Sequence, residues 1–250
     1  MVFAYVYELL CKTSWTDYLR SPLGSFMSSP SKVSEGEEPE GTLFAACTAR
    51  RSVFPRSYVK RDVPRAVVDR LLSAAMYAPY HGPKPPWRFV VLGRQAMVDM
   101  QRLTLSFYDE NWRDLGKHST EYEYQRWRSK TEEEITGRWG PVSYMIAIVV
   151  KRQAGSKRVP MWEEICATAC AVQNMHLQAS RHPGLACYWS SWHAAARDSE
   201  DMAEYLGMGS EDQCLGFFIV AACDPTFNPR RCRYPEVHLD TDWRVDGPKS

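Results

Sequence analysis

Residues 162–192 read WEEICATACAVQNMHLQASRHPGLACYWSSW, and this stretch decides how the rest of the chain is interpreted. Glu163 and Glu164 open it and the next charge is Arg181, an arrangement that suits the dipole of a single helix. The residues between these charges are mostly apolar and lie nearly all round the helix, which predicts that every face is buried. Pro183-Gly184 then ends the helix.

A short apolar run, Leu185 to Trp189, follows and predicts a buried strand that ends at Trp189, Ser190 and Ser191. Small hydroxyls beside aromatic rings at a strand end can hold a flat polar ligand. A core helix that feeds a core strand without any site is the alternative, and the stretch alone does not decide between the two. His176 fits a hydrogen-bonded core residue better than a metal ligand.

The composition is that of one large globular domain with or without a tail: 250 residues, 44% of them hydrophobic, and a net charge of +1. The near-neutral charge gives no support for a nucleic-acid partner. No apolar run approaches the ~18 residues needed to span a bilayer. Eight cysteines are present without a C-x-x-C pair, which predicts small buried hydrophobes in a reducing, cytoplasmic compartment and no metal site.

The first part of the chain differs in composition from the rest. Residues 21–40 are rich in Ser, Pro, Gly and Glu, which cannot bury much surface. We therefore expect a flexible N-terminal extension over residues 1–42, a folded domain over residues 43–245 and a tail over residues 246–250.

A basic turn follows the first predicted helix of the domain, which includes Leu43 to Cys47. Arg50, Arg51 and Ser52 form this turn, and guanidinium forks match phosphate oxygens, so the turn is a candidate phosphate clamp. A solvated basic turn is the alternative. A second helix opens at Val63-Pro64, where proline suits the first turn.

A proline-stiffened loop precedes the first predicted core strand. Four prolines lie between residues 79 and 86 and exclude a helix there, and Trp87 to Leu92 then reads as a strand. Loops fixed in this way often line sites, which makes His81 and Lys84 candidates. A plain helix-to-strand connection is the alternative.

The remaining predicted elements are an exposed pair of helices over Gln95 to Thr136, a central strand over Val142 to Val150, a short helix over Asp198 to Leu206, and a last core strand over Leu215 to Ala222.

Several short motifs, in this order, resemble the nitroreductase family and most closely its minimal nitroreductase subfamily. They follow the turn Arg50-Arg51-Ser52 and are Ala78-Pro79-Tyr80-His81, Pro86-Trp87-Arg88-Phe89, Val159-Pro160-Met161-Trp162-Glu163, Trp189-Ser190-Ser191 and Leu215-Gly216-Phe217. The resemblance implies an α+β fold with a mostly antiparallel central sheet wrapped by helices. It also implies a homodimer with FMN at the interface.

The same resemblance implies which residues bind FMN. Arg50, Arg51 and Ser52 are implied to bind the phosphate and the ribityl chain. Arg231 is implied to be a further phosphate contact. On the same chain, Trp189, Ser190 and Ser191 are implied to lie beside the ring. Across the interface, Tyr77 and His81 of the partner subunit are implied to face the flavin.

The chemistry that the resemblance implies is hydride transfer from NADH or NADPH to FMN and then to a small acceptor such as a nitroaromatic or a quinone. The flavin carries the redox chemistry, so no catalytic side chain is required, and the sequence contains no obvious triad or carboxylate pair. Other flavin chemistry on this fold, reductive dehalogenation or flavin breakdown, is an alternative. A non-enzymatic dimer that has lost FMN is another.

Three positions depart from the family pattern. Pro83 and Pro85 stand where many members have Asn and Gln, and Tyr77 stands where the subfamily commonly has a basic residue. These changes remove polar contacts to the flavin. They suggest that FMN binds more weakly or is held by stacking. The sequence does not indicate the natural acceptor or the choice between NADH and NADPH.

Overall fold

An antiparallel sheet of five strands forms the centre of the computed structural model, which describes residues 43–155 and 158–227. The strands are β1 (Tyr58–Val59), β2 (Trp87–Leu92), β3 (Val142–Val150), β4 (Leu185–Ser190) and β5 (Gln213–Cys223). The order across the sheet is β2-β3-β5-β4, and the short β1 pairs with the end of β5 at Ala222 and Cys223.

Helices cover both faces of this sheet. They are α1 (Leu43–Ala49), α2 (Arg65–Ala75), α3 (Arg94–Leu115), α4 (Glu121–Gly137), α5 (Met161–Ala179), α6 (Ala194–Arg197) and α7 (Glu200–Tyr205). A single 3₁₀ turn, Pro55–Ser57, lies between α1 and β1. Over the described ranges, no helix combines the length and apolar character that crossing a bilayer requires.

The uncharged run in β3 is explained by burial on both faces of the sheet. Because side chains alternate along a strand, Met145 and Ala147 pack in one core with α3, whereas Ile146 and Ile148 pack in a second core with α2 and α5. β5 divides its side chains between the two cores in the same way. The predicted α+β fold with an antiparallel central sheet is therefore confirmed, and the predicted core strands match to within two residues.

The prediction of an exposed helix pair is wrong for α3. Met97, Met100 and Leu105 are buried, and Met97 and Met100 pack in the core that lies against the sheet, because their spacing gives this helix an apolar stripe. Its last turns join α4 through stacked rings, with the centroids of Trp112 and Tyr124 4.8 Å apart. α4 itself has few buried residues and is largely exposed.

The prediction that α5 is buried on every face is also wrong. One face packs on the sheet through residues such as Ala171 and Met175, but Trp162, Cys166 and Cys170 on the opposite face are exposed. Of the six cysteines within the described ranges, the predicted burial therefore holds for three and fails for three: Cys187, Cys214 and Cys223 are buried, and Cys47, Cys166 and Cys170 are exposed. Apolar composition indicates that a helix face will be covered, but it does not say that the same chain covers it.

Several predictions concern residues outside the described ranges. These are the N-terminal extension over residues 1–42, the tail over residues 246–250 and the phosphate contact of Arg231. The domain boundaries therefore stay predictions.

Candidate functional site

The turn Arg50-Arg51-Ser52 is fixed between α5 and β4. His176 of α5 lies with its Nε2 atom 3.0 Å from the backbone oxygen of Arg51. One residue beyond the turn, the backbone amide of Val53 donates to the carbonyl of Cys187 in β4 over 3.0 Å. The turn that the sequence predicts to bind phosphate is thus held beside the strand that leads to Trp189, Ser190 and Ser191.

The two arginines of the turn have different surroundings. The Arg51 guanidinium donates to the carbonyl oxygens of Thr48 over 2.7 Å and of Arg50 over 2.6 Å, at the end of α1. The positive charge of Arg50 acts on His176: burial first, and then this charge, lower the pKa of His176 to about 4. The positive charge of Arg50 at this turn is suited to an anion.

The end of β4 forms a tight turn against β5. Gly216 in β5 has a φ of +116°, and a Cβ atom there would lie 2.2 Å from the carbonyl oxygen of Ser190. Only glycine permits this approach, so Gly216 sets where the backbone of Ser190 and Ser191 lies. Trp189 is partly exposed and its indole donates to the carbonyl of Leu215 over 2.9 Å. Ser191 is exposed.

Trp192 closes this turn in a left-handed backbone conformation, with a φ of +59°. It is the one non-glycine residue of the described ranges with a positive φ. Its ring is held by a hydrogen bond from Nε1 to the Thr104 hydroxyl at 3.0 Å and by contact with Trp139 and Phe217. Backbone strain that the surroundings hold in place is common at functional sites. The feature therefore strengthens the candidate site at Trp189 to Ser191.

A cleft of about 680 Å³ lies beside the turn and β4, and its lining includes side chains that the sequence analysis missed. Its lining residues are Phe54, Pro55, Arg56, Gly137 and Arg138. The Phe54 ring packs against Tyr188 of β4 at a centroid distance of 5.0 Å. Arg56 belongs to the same basic segment as Arg50 and Arg51, which is a signal in the sequence. Arg138 follows α4 far along the chain, and no local pattern connects it to that segment.

Tyr77 and His81 lie in a different part of the chain. Tyr77 is 88% exposed and lines a groove of about 650 Å³ with Asn174 and Arg181 of the α5 end. The Nδ1 atom of His81 lies 2.8 Å from a carboxylate oxygen of Glu163 at the start of α5. Within the described part of one chain, no contact joins Tyr77 or His81 to the Arg50 turn or to the end of β4.

The loop that carries His81 is held in place, as the prolines predict. The side-chain amide of Gln153 donates to the carbonyl oxygens of His81 over 3.0 Å and of Lys84 over 3.1 Å. The loop borders a second groove, of about 450 Å³, whose other wall includes Trp162 and Cys166 of α5. The two grooves thus flank the exposed face of α5.

The donor set at the Arg50 turn and the β4 end fits a flat, phosphorylated ligand. It offers guanidinium groups and the Ser52 hydroxyl at one end, and the hydroxyls of Ser190 and Ser191 at the other. Among the described residues, no cluster of three or more His, Cys, Asp or Glu side chains has a geometry that could hold a metal ion.

Comparison with known proteins gives one family. The model of the Nitroreductase family matches residues 47–221. A curated protein of Methanothermobacter thermautotrophicus, "Putative NADH dehydrogenase/NAD(P)H nitroreductase", is 32% identical over 65 residues, which are 26% of this chain and 33% of that protein. A second, "Putative NAD(P)H nitroreductase" of Haemophilus influenzae, is 26% identical over 45% of this chain and 53% of its own length. The matches thus span between a third and about half of these relatives.

Solved structures extend the similarity in fold over most of the described residues. A nitroreductase-like family protein from Bacillus cereus superposes with a TM-score of 0.63 at 20% identity and covers 84% of this chain and 100% of its own. A nitroreductase with bound FMN from Bacteroides fragilis gives a TM-score of 0.55 at 19% identity, with 81% and 98% covered. At these identities the likeness shows a shared fold.

Proposed function

The chain belongs to the nitroreductase family, and on that premise we propose that it is an FMN-dependent oxidoreductase that uses NADH or NADPH to reduce a small organic acceptor. FMN, when bound, supplies the hydride-transfer chemistry between the nicotinamide donor and the acceptor. Nitroaromatics and quinones are the acceptor classes to test first. The curated relatives are named for NAD(P)H, and one similar structure for its FMN, which supports this choice of cofactors.

One observation carries the proposal: the segment that follows the basic turn is hydrogen-bonded to β4, the strand that ends at Ser190. Val53, the residue after the turn, donates its amide hydrogen to the carbonyl of Cys187. Cys187 is the residue before the Tyr188 to Ser191 segment. A ligand with a phosphate at one end and a flat ring at the other can therefore reach both groups at once. FMN has this shape.

In the proposed complex, the chain binds and orients the cofactor. Arg50 and Arg51 neutralise the phosphate, and Ser52 donates to it. Trp189, Ser190 and Ser191 lie along the ring, where donors stabilise negative charge that develops on it. Arg231, outside the described residues, is a further phosphate contact in this proposal. The protein supplies no nucleophile or acid–base pair to the reaction.

The proposed active form is a homodimer. The exposed face of α5, with Trp162, Cys166 and Cys170, is the surface that a second copy would cover. His81 and Tyr77 border this face and contact nothing at their own chain's Arg50 turn, which fits the proposal that Tyr77 and His81 of the partner subunit complete the flavin site.

The test is a titration of the purified full chain with FMN, followed by visible absorption and by NAD(P)H oxidation with a nitroaromatic acceptor. We expect a flavin spectrum that NADH or NADPH bleaches and the acceptor restores. Arg50→Ala is expected to weaken FMN binding at least about tenfold, since a charge-assisted contact contributes about 1.5–3 kcal/mol. Arg65→Ala is the matched control, because Arg65 is an exposed arginine on α2 paired only with Asp69. A colourless protein that FMN cannot reconstitute would refute the proposal.

A further inference from the structure

We propose that the cleft between the Phe54–Arg56 segment and the end of α4 binds the carboxylate of an aromatic acceptor. This inference rests on the proposed oxidoreductase function and extends it by naming a substrate class, an aromatic carboxylate. Arg56 and Arg138 are the specificity-determining residues.

The position of the cleft places it next to the proposed ring site. Its Phe54 wall packs against Tyr188, and Tyr188 directly precedes Trp189, Ser190 and Ser191 in the chain. The contact between Phe54 and Tyr188 therefore joins the cleft to the strand that ends at Ser190. A molecule that lies on the ring can extend into the cleft.

The charges of the cleft leave a surplus of positive charge. Arg56 has no hydrogen bond or ion pair with another described residue. Arg138 has one carboxylate partner, Glu134, at 3.3 Å, and its guanidinium also lies over the Trp139 ring at 4.9 Å. Among the described residues, Arg138 therefore has a carboxylate partner and Arg56 has none. Because ionised partners strengthen hydrogen bonds, a ligand carboxylate would be favoured between the two arginines over a neutral group of the same shape.

The walls of the cleft favour an aromatic ligand. Phe54 is 50% exposed, so half of a large apolar side chain faces solvent at the entrance. Aromatic rings that contact one another edge-on or offset gain stability beyond simple burial. The volume of about 680 Å³ is in the range of small-molecule sites. A ring bearing a carboxylate matches both the aromatic wall and the paired arginines.

None of the residues that line the cleft belongs to the proposed phosphate clamp. Arg51 donates to carbonyl oxygens at the end of α1, whereas Arg56 lies in a 3₁₀ turn and lines the cleft with Arg138. The cleft can therefore bind an anion while FMN occupies the clamp.

The direct test compares benzoate with benzamide, two ligands of the same shape that differ in charge, by calorimetric titration of the FMN-loaded protein. We expect benzoate to bind about tenfold tighter than benzamide at low salt, the ratio that one charge-assisted contact supplies. Arg56→Gln and Arg138→Gln are each expected to reduce this ratio at least about threefold, and Arg65→Gln is expected to leave it in place. Equal binding of the two ligands, or a ratio that both cleft variants preserve, would overturn the proposal.

A second arm uses turnover of para-nitrobenzoate and para-nitrobenzamide. The expected result is a preference in kcat/KM for the carboxylate that falls in both cleft variants. If instead the variants raise KM for NADH or NADPH and keep the carboxylate preference, the cleft serves the donor and the acceptor assignment is wrong. Benzoate that binds only FMN-free protein would likewise overturn it. Failure of the proposed function is seen separately, as absence of FMN binding before any benzoate is added.

Discussion

The imidazole of His176 and the backbone carbonyl of Arg51 are joined at 3.0 Å, across 125 positions of sequence. This contact ties the middle of α5 to the basic turn, so the helix that would form the subunit interface also positions the proposed phosphate clamp. Nε2 lies against a carbonyl oxygen, and it therefore carries the hydrogen and donates. Protonation of the other ring nitrogen would add a buried positive charge, which the positive charge of Arg50 opposes.

The first prediction concerns acid stability. Burial and the Arg50 charge lower the pKa of His176 to about 4, below the 6.5 expected when the chain is unfolded. The unfolded chain therefore binds the proton first, and stability that is fully present above about pH 6.5 is lost as the pH falls toward 4. The full effect is about 3 kcal/mol. Urea unfolding at pH 7 and pH 4.5 measures most of it.

In His176→Gln this pH dependence is expected to be weaker, because the replacement keeps a donor and cannot titrate. His118→Gln, on the connection between α3 and α4, is the control that should retain it. If wild type and His176→Gln lose equal stability between the two pH values, the assignment of the buried neutral imidazole is wrong.

The second prediction concerns Gly216. A methyl group there would lie 2.2 Å from the Ser190 carbonyl, at a φ of +116° that other residues rarely adopt. We expect Gly216→Ala to cost about 3 kcal/mol of unfolding free energy, and to weaken FMN binding by displacing Ser190 and Ser191. Gly93→Ala is the control, since nothing lies within 4 Å of the added atom. Equal effects of the two replacements would contradict the close approach at Gly216.

Local patterns predicted the strands and the parts of the site that are continuous in sequence. The uncharged run of β3 and the Pro183-Gly184 stop are physical signals that need no knowledge of the fold. The Arg50 turn and the Ser190 segment were found as motifs in the same way. Arg138 was missed because its place in the same cleft as Arg56 depends on where α4 ends in the fold. The exposure of Cys170 was missed because an apolar helix face predicts burial, but it does not show whether the same chain or a second chain buries it.

The third prediction concerns a buried ion pair at the start of α5. Glu164 is 1% exposed and accepts hydrogen bonds from the Arg152 guanidinium and from the backbone amide of Gln153. Glu164→Ala leaves Arg152 without this partner, and we expect a cost of about 4 kcal/mol in chemical unfolding. Because Gln153 also holds the His81 loop, the variant should weaken FMN binding as well.

The control for this pair is its neighbour in sequence. Glu163 is more exposed and contacts His81 at the surface, so Glu163→Ala is expected to cost less than about 1 kcal/mol. A Glu164→Ala variant as stable as Glu163→Ala would show that the buried pair contributes little beyond its own desolvation.

The fourth prediction concerns the exposed face of α5. Trp162 is 64% exposed, and Cys166 and Cys170 continue its face along the helix. A charge at the middle of an apolar interface must be buried without a partner, which opposes association. We therefore expect Cys170→Glu to shift the protein from dimer to monomer in sedimentation, with no loss of helix content by circular dichroism.

Loss of the dimer should also remove the cofactor, because Tyr77 and His81 of the partner subunit are proposed to complete the flavin site. The Cys170→Glu monomer is expected to bind FMN at least about tenfold more weakly than wild type, which corresponds to about 1.4 kcal/mol or more. Tyr122→Glu is the matched control, since Tyr122 is an aromatic residue of α4 that is 76% exposed and lines neither of the grooves that flank this face. A monomer that retains FMN in equal stoichiometry would separate cofactor binding from assembly and refute the shared site. A Cys170→Glu dimer would instead assign the interface to another surface.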